Sequence, residues 1–125
     1  MTSARLKSQN GDLLVRDGTV DTSVKSGIAK AWQMSLDGGT LTISDSLNIS
    51  TVDDDGTGDY GQNYASNFSS GDKSINAAGG YFTFNVEIDA VPTSSADEFR
   101  TKDNGNSSAA TDADILCTVV HGDLA

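Results

Sequence analysis

Three consecutive aspartates, Asp53 to Asp55, stand directly before Gly56-Thr57-Gly58-Asp59-Tyr60-Gly61. Carboxylates are hard oxygen ligands and glycine lets a chain wrap tightly, so Ca²⁺ binding is the first chemistry to weigh. Asp53, Asp55 and Asp59 are its candidate ligands. The spacing departs from an EF-hand loop: the aspartates are adjacent rather than alternating, and no bidentate glutamate follows at the twelfth position. Neighbouring residues of an extended segment point to opposite faces, so the triplet cannot converge on one ion. Gly56, Gly58 and Gly61 also satisfy the G-x-G-x-x-G of dinucleotide loops. Such a loop needs an apolar strand before it and a helix after it. Here three carboxylates would repel a pyrophosphate, and the following GQNYASNFSSGD is a poor helix. What remains is a turn between two strands, with glycines at positive φ and aspartates closing Asx-turns. No cofactor is expected, with Ca²⁺ at the aspartates the one weak candidate.

Nucleophilic and acid–base chemistry find few parts. His121 is the only histidine and lies four residues from the last residue, beside Gly122-Asp123. Serines and aspartates are plentiful, but nothing in their spacing selects a triad with it. Cys117, the only cysteine, sits in the apolar run Ile115 to Val120 and is expected to be a small buried hydrophobe. A sugar platform would have to come from Trp32, Tyr60, Tyr64 and Tyr81. The chain is therefore expected not to be an enzyme. Its formal net charge of −10 excludes a phosphate-backbone partner and disfavours an anionic membrane surface. No apolar run approaches the ~20 residues of a membrane helix. The first eighteen residues hold no apolar signal-peptide core, which predicts a protein made and kept in a cytoplasm.

The elements that must carry these residues are strands. Trp32, Met34 and Leu36 alternate with Ala31, Gln33 and Ser35, and Asp37-Gly38-Gly39 supplies a turn. Leu41 and Ile43 follow with the same alternation, and Leu47 and Ile49 keep that parity. Trp32 is expected to face the core with Met34 and Leu36. Phe82, Phe84, Val86, Ile88 and Ala90 share one face of a further strand, and 115–121 reads as the last. Residues 93–99 offer one short helical turn, with an N-cap candidate ahead of acidic residues. Residues 101–114 read as an exposed loop, and residues 1–28 as an extended attachment arm or hairpin turning at Asp17-Gly18. The predicted fold is all-β: a short-stranded antiparallel β-sandwich over 29–125. Only 36% of residues are apolar, which suits thin protomers that share one core.

Several ordered residues resemble a known pattern. Lys30-Ala31-Trp32, Asp37 to Thr40, Asp45-Ser46, Asn48 to Ser50 and Gly56 to Tyr60 are similar to a segment of bacteriophage tail-fibre proteins, especially of marine phages. The terminal run Ile115 to Gly122 fits it as well. The chain departs from that pattern at Leu47, where an aromatic is usual, and after Tyr60, where a Thr-Val-Asn-Phe strand would continue. The resemblance implies a non-enzymatic virion part: a homotrimeric fibre-tip domain assembled in the host cytoplasm. Residues 1–28 would join it to other tail or capsid proteins. Loops at 53–63, 66–80 and 101–114 would meet a host cell-surface receptor, a glycan among the candidates. Asp59, Tyr60, Tyr64, Asn104 and Asn106 are the receptor-contact candidates there. Two other readings stay open: a capsid decoration or head-fibre protein, and a Ca²⁺-dependent carbohydrate-binding module.

Overall fold

The computed structural model describes residues 5–9, 12–17, 20–80, 84–103 and 109–125. Strands β1 (Arg5–Gln9), β2 (Asp12–Asp17) and β3 (Val20–Ser23) form a small antiparallel sheet in the order β1-β2-β3, followed by one helical turn, α1 (Val24–Gly27). Eight strands then build the body. They are β4 (Ala31–Asp37), β5 (Leu41–Leu47), β6 (Ile49–Gly56), β7 (Asp59–Tyr64), β8 (Ser74–Gly80), β9 (Phe84–Ile88), β10 (Ala96–Asp103) and β11 (Ile115–His121). One four-stranded antiparallel sheet runs β5-β4-β11-β8 and the other β6-β7-β10-β9. They pack face to face as an all-β sandwich, as alternating short strands broken by glycine and aspartate turns require.

The chain passes between the sheets at Asn48, which lies between β5 and β6 with φ 58°. Asparagine tolerates that left-handed backbone. Its amide holds the corner shut: Nδ2 donates to the Ser66 carbonyl at 3.0 Å, and Oδ1 accepts the Ser66 N–H at 2.7 Å. Just before it, β5 bulges. Met34 pairs with Asp45 but Ser35 pairs with Ile43, so Ser44 is the extra residue. The bulge reverses the parity of β5. Ile43 packs on the core, whereas Leu47, of the same sequence parity, is 48% exposed.

Residues 93–99 hold no helix. Thr93 closes a tight turn, its N–H donating to the Ala96 carbonyl at 3.0 Å and its Oγ1 accepting the Ala96 N–H at 2.9 Å. The chain then runs directly into β10. The expected strand over 82–90 is β9 across 84–88, while Tyr81, Phe82 and Thr83 lie outside the described residues.

The DDDGTGDY stretch is a hairpin. Asp53 to Gly56 end β6, Asp59 pairs with Gly56 to begin β7, and Thr57-Gly58 make the turn. Gly58 has φ +67°. A Cβ there would stand 2.6 Å from the Thr101 carbonyl oxygen and 2.7 Å from the Thr111 nitrogen, because β10 and the segment before β11 close over the turn. Gly58→Ala is expected to lose about 3 kcal/mol, from left-handed backbone strain and this clash together. That lowers the thermal midpoint by roughly 10 °C for a chain of this size, which calorimetry checks.

The core has two apolar ends. Ala31, Ile49, Tyr64, Phe68 and Val120 form one, and Tyr60, Phe99 and Leu116 the other, with Ile75 touching both. Among the described residues, the buried polar side chains that also line the interior are Gln33, Ser35, Gln62, Asp97, Thr101 and Thr118.

Candidate functional site

The β5-β4-β11-β8 sheet does not turn the side the sequence suggested toward the core. Ala31, Gln33 and Ser35 are buried, while Met34 and Leu36 are 37% and 39% exposed and Trp32 is half-buried. Antiparallel partners share a face. Gln33 pairs with Thr118, and Thr118 Oγ1 donates to Gln62 Oε1 of the opposite sheet at 2.7 Å. This polar contact turns Thr118 inward, and its pairing partner Gln33 shares that face, with Oε1 accepting from the Ser35 hydroxyl and Nε2 unpartnered. The expectation that Trp32 lies in the core is therefore corrected. Cys117, on the same outward parity of β11, is half-buried rather than buried.

The outer face that results is mainly apolar, in three successive rows with one polar residue each. Leu47, Trp32, Val119 and Asn76 lie side by side across the four strands. Asp45, Met34, Cys117 and Ala78 form the next row, and Thr42, Leu36, Ile115 and Gly80 the third. Asp45 is the only carboxylate of these rows, on a chain that carries eighteen. At strand spacings of about 4.8 Å and rises of about 3.4 Å, four strands of this length make a face of roughly 400 Å². Met34, Leu36, Leu47 and Val119 are the exposed apolar side chains of this face, and clustered exposed apolar groups are often functional surfaces.

The outer face of the β6-β7-β10-β9 sheet is its opposite in character. Arg100 pairs with Asp89 at 2.9 Å and Lys102 with Glu87 at 2.6 Å, all four at least partly exposed. Asp53 Oδ2 accepts from Asn63 Nδ2 at 2.5 Å. A Cβ on Gly61 would lie within 3.7 Å of Oδ2 of both Asp53 and Asp55, so these two share a side of the hairpin. Asp54 instead accepts the Gly56 N–H at 3.1 Å and closes the turn. Among the described residues, no three His, Cys, Asp or Glu side chains are grouped to hold a metal ion.

The receptor-contact candidates separate. Asp59 is half-buried at the start of β7. Tyr60 and Tyr64 are not surface residues: they are 0% and 6% exposed. Both lie on the inward parity of β7 with Gln62, while Asp59, Gly61 and Asn63 point the other way. Their proposed contact with a receptor is corrected on that ground. Asn104 and Asn106 lie outside the described residues. His121 ends β11, and no described side chain hydrogen-bonds it.

Both tyrosines are tied internally. The Tyr60 hydroxyl donates to Asp37 Oδ2 at 3.1 Å and accepts the Ala113 N–H at 3.0 Å. The Tyr64 hydroxyl donates to Asp97 Oδ2 and accepts from Gln62 Nε2 at 3.2 Å. Burial, reinforced by the neighbouring carboxylates, pushes both phenols well above their ordinary value. An unfolded chain releases these protons near pH 10 while the folded chain keeps them. Stability is therefore full below about pH 10 and falls above it, by about 1.4 kcal/mol per pH unit for each phenol. Urea midpoints measured from about pH 8 to 11 are expected to fall only in the upper part of that range, and less in Tyr60→Phe.

The strongest buried group was not singled out by sequence reasoning. Lys73, in the segment before β8, places Nζ 2.6 Å from Asp97 Oδ1 on β10, with both side chains fully buried. The same nitrogen donates to the Thr93 carbonyl at 2.7 Å and to the Tyr64 hydroxyl at 3.3 Å. It also sits 4.3 Å and 4.9 Å from the ring centres of Tyr64 and Phe68. Lysine and aspartate twenty-four positions apart give no local signal; only the sheet order joins them. Compared with protein-family models, characterised proteins and solved structures, the chain matches none.

Proposed function

We propose that the chain is a structural, self-associating β-sandwich of a phage virion, a tail fibre or tail appendage that acts in host adhesion as a homotrimer. The resemblance of the Lys30 to Tyr60 segment to tail-fibre proteins motivates the virion assignment. The observation that carries self-association is the outer face of the β5-β4-β11-β8 sheet, with Trp32, Met34, Leu36, Leu47 and Val119 turned away from the core. Its occupant is a second copy. With a net charge of −10, most of the surface repels another copy, but this face brings a single carboxylate per chain to the contact. Around a three-fold axis each copy's face can meet both neighbours through heterologous contacts that close the ring. In such an assembly the charged hairpin face of the other sheet stays outward. Its polar contacts with a receptor would be weak singly and multiplied by three equivalent copies. Light scattering on a sizing column tests the assembly. A particle of three times the 13.0 kDa chain mass is expected, and a monomer across the micromolar range would defeat the reading.

A further inference from the structure

We infer that Lys73 and Asp97 condense into an intramolecular isopeptide bond, with loss of one water. The groups are already in contact, Nζ to Oδ1 at 2.6 Å with neither side chain reaching solvent. A nitrogen so placed lies about 3–3.5 Å from the carboxyl carbon, the separation of a near-attack arrangement. The site excludes water behind the rings of Tyr64 and Phe68, which meet edge-on with centres 4.7 Å apart. Among the described ion pairs this is the one with both side chains fully buried; the others are partly exposed.

The protons balance through Tyr64. Its hydroxyl accepts from Lys73 Nζ and donates to Asp97 Oδ2, so it relays a proton from one to the other without becoming a phenolate. The first transfer turns the ammonium and carboxylate into a neutral amine and a neutral acid. The Nζ lone pair then adds to the carboxyl carbon, and the Cγ–Oδ1 π electrons move onto Oδ1. A second proton passes from Nζ to Oδ2 by the same relay. The Cγ–Oδ2 bond breaks as Oδ1 re-forms its double bond, and Oδ2 leaves as water carrying both protons. Gln62 Nε2, 3.2 Å from Oδ2, orients the carboxyl until that oxygen leaves. The one hydrogen left on Nζ keeps the Thr93 carbonyl as its acceptor. No outside oxidant, metal or activating group is required, since addition, proton transfer and loss of water use only these side chains.

The product ties the two sheets together, because Lys73 leads into β8 of one and Asp97 lies on β10 of the other. The chain has a single cysteine, so this would be its one internal covalent staple. This inference does not depend on the assembly proposed above.

Intact mass of the purified, denatured wild-type chain tests it. A mass lower by one water is expected, and the Lys73→Arg variant should show its full mass. Water can also be lost at Asp-Gly steps such as Asp37-Gly38 and Asp55-Gly56, so a peptide map locates the change. Trypsin cannot cleave after an acylated lysine. It should return residues 31–100 as one peptide lighter by a water, instead of 31–73 and 74–100. Full mass in the wild type, or ordinary cleavage after Lys73, overturns the inference even if the arginine variant does not fold.

Discussion

Replacing Asp97 by alanine is expected to lower the unfolding free energy by about 3–5 kcal/mol, the cost of leaving a buried charge without its partner. Lys73 would keep only the Thr93 carbonyl and the Tyr64 hydroxyl, neither of them charged. The damage spreads along the interior. Gln62 Nε2 and the Tyr64 hydroxyl both use Asp97 Oδ2, and Gln62 Oε1 in turn holds Thr118 of the opposite sheet. Domains of this class are stable by only about 5–15 kcal/mol, so a large share of the total is at stake. Denaturant titration of the variant reads the loss. The paired variant Lys73→Met with Asp97→Leu sharpens the test. Replacing a buried ion pair by apolar side chains of similar volume is commonly near neutral, so this variant should recover much of what Asp97→Ala loses. If the two residues are covalently joined in the parent, recovery stops short by about 3 kcal/mol, the contribution of closing a loop of this order. A single-variant loss below about 1 kcal/mol would mean that water reaches the ammonium and that the interior around Lys73 is open to solvent.

Some of this was legible in the sequence. The strands at 31–37 and 115–121 and the hairpin at DDDGTGDY follow from period-two alternation and from glycine beside aspartate, both local signals. Which face of each strand is buried did not follow. Apolar parity predicts the core only when the chain buries its apolar face within itself. Here Gln33 and Ser35 go inside together, the Ser35 hydroxyl donating to Gln33 Oε1, while Gln33 Nε2 is buried without a hydrogen-bond partner. The Ser44 bulge hid a second reversal, since Ile43 and Leu47 share sequence parity and face opposite ways. Tyr60 and Tyr64 were misplaced for a related reason. With Gln62 between them, β7 has polar residues on both parities, and only the pairing with β10 shows that Tyr60, Gln62 and Tyr64 point inward. The Lys73–Asp97 contact depends wholly on sheet order, which no spacing in the sequence encodes.

A charge placed on the outer face of β11 is expected to dissociate the proposed homotrimer without unfolding the protomer. Val119 is the residue to change. It is 38% exposed, it pairs with Trp32 on one side and Asn76 on the other, and its neighbours Thr118 and Val120 carry the inward contacts of the strand. In the isolated protomer Val119→Lys costs little, because a long side chain can lay its methylenes on Trp32 and leave its ammonium in water. In the assembly the same ammonium, repeated in every copy, is brought against apolar rows and must lose its hydration. Each mutated protomer adds several kcal/mol of penalty, enough to shift a micromolar association out of reach, since about 1.4 kcal/mol is a tenfold change in the constant. Light scattering should therefore fall to one chain mass, while far-ultraviolet circular dichroism and the urea midpoint of the dilute protomer hold. A matching lysine on the opposite sheet, Asn63→Lys, places the same charge on the face that is already polar and should leave the mass unchanged. If both variants dissociate, the contact is spread over the whole protomer; if neither does, the apolar face is not where copies meet, and its exposure must serve another partner.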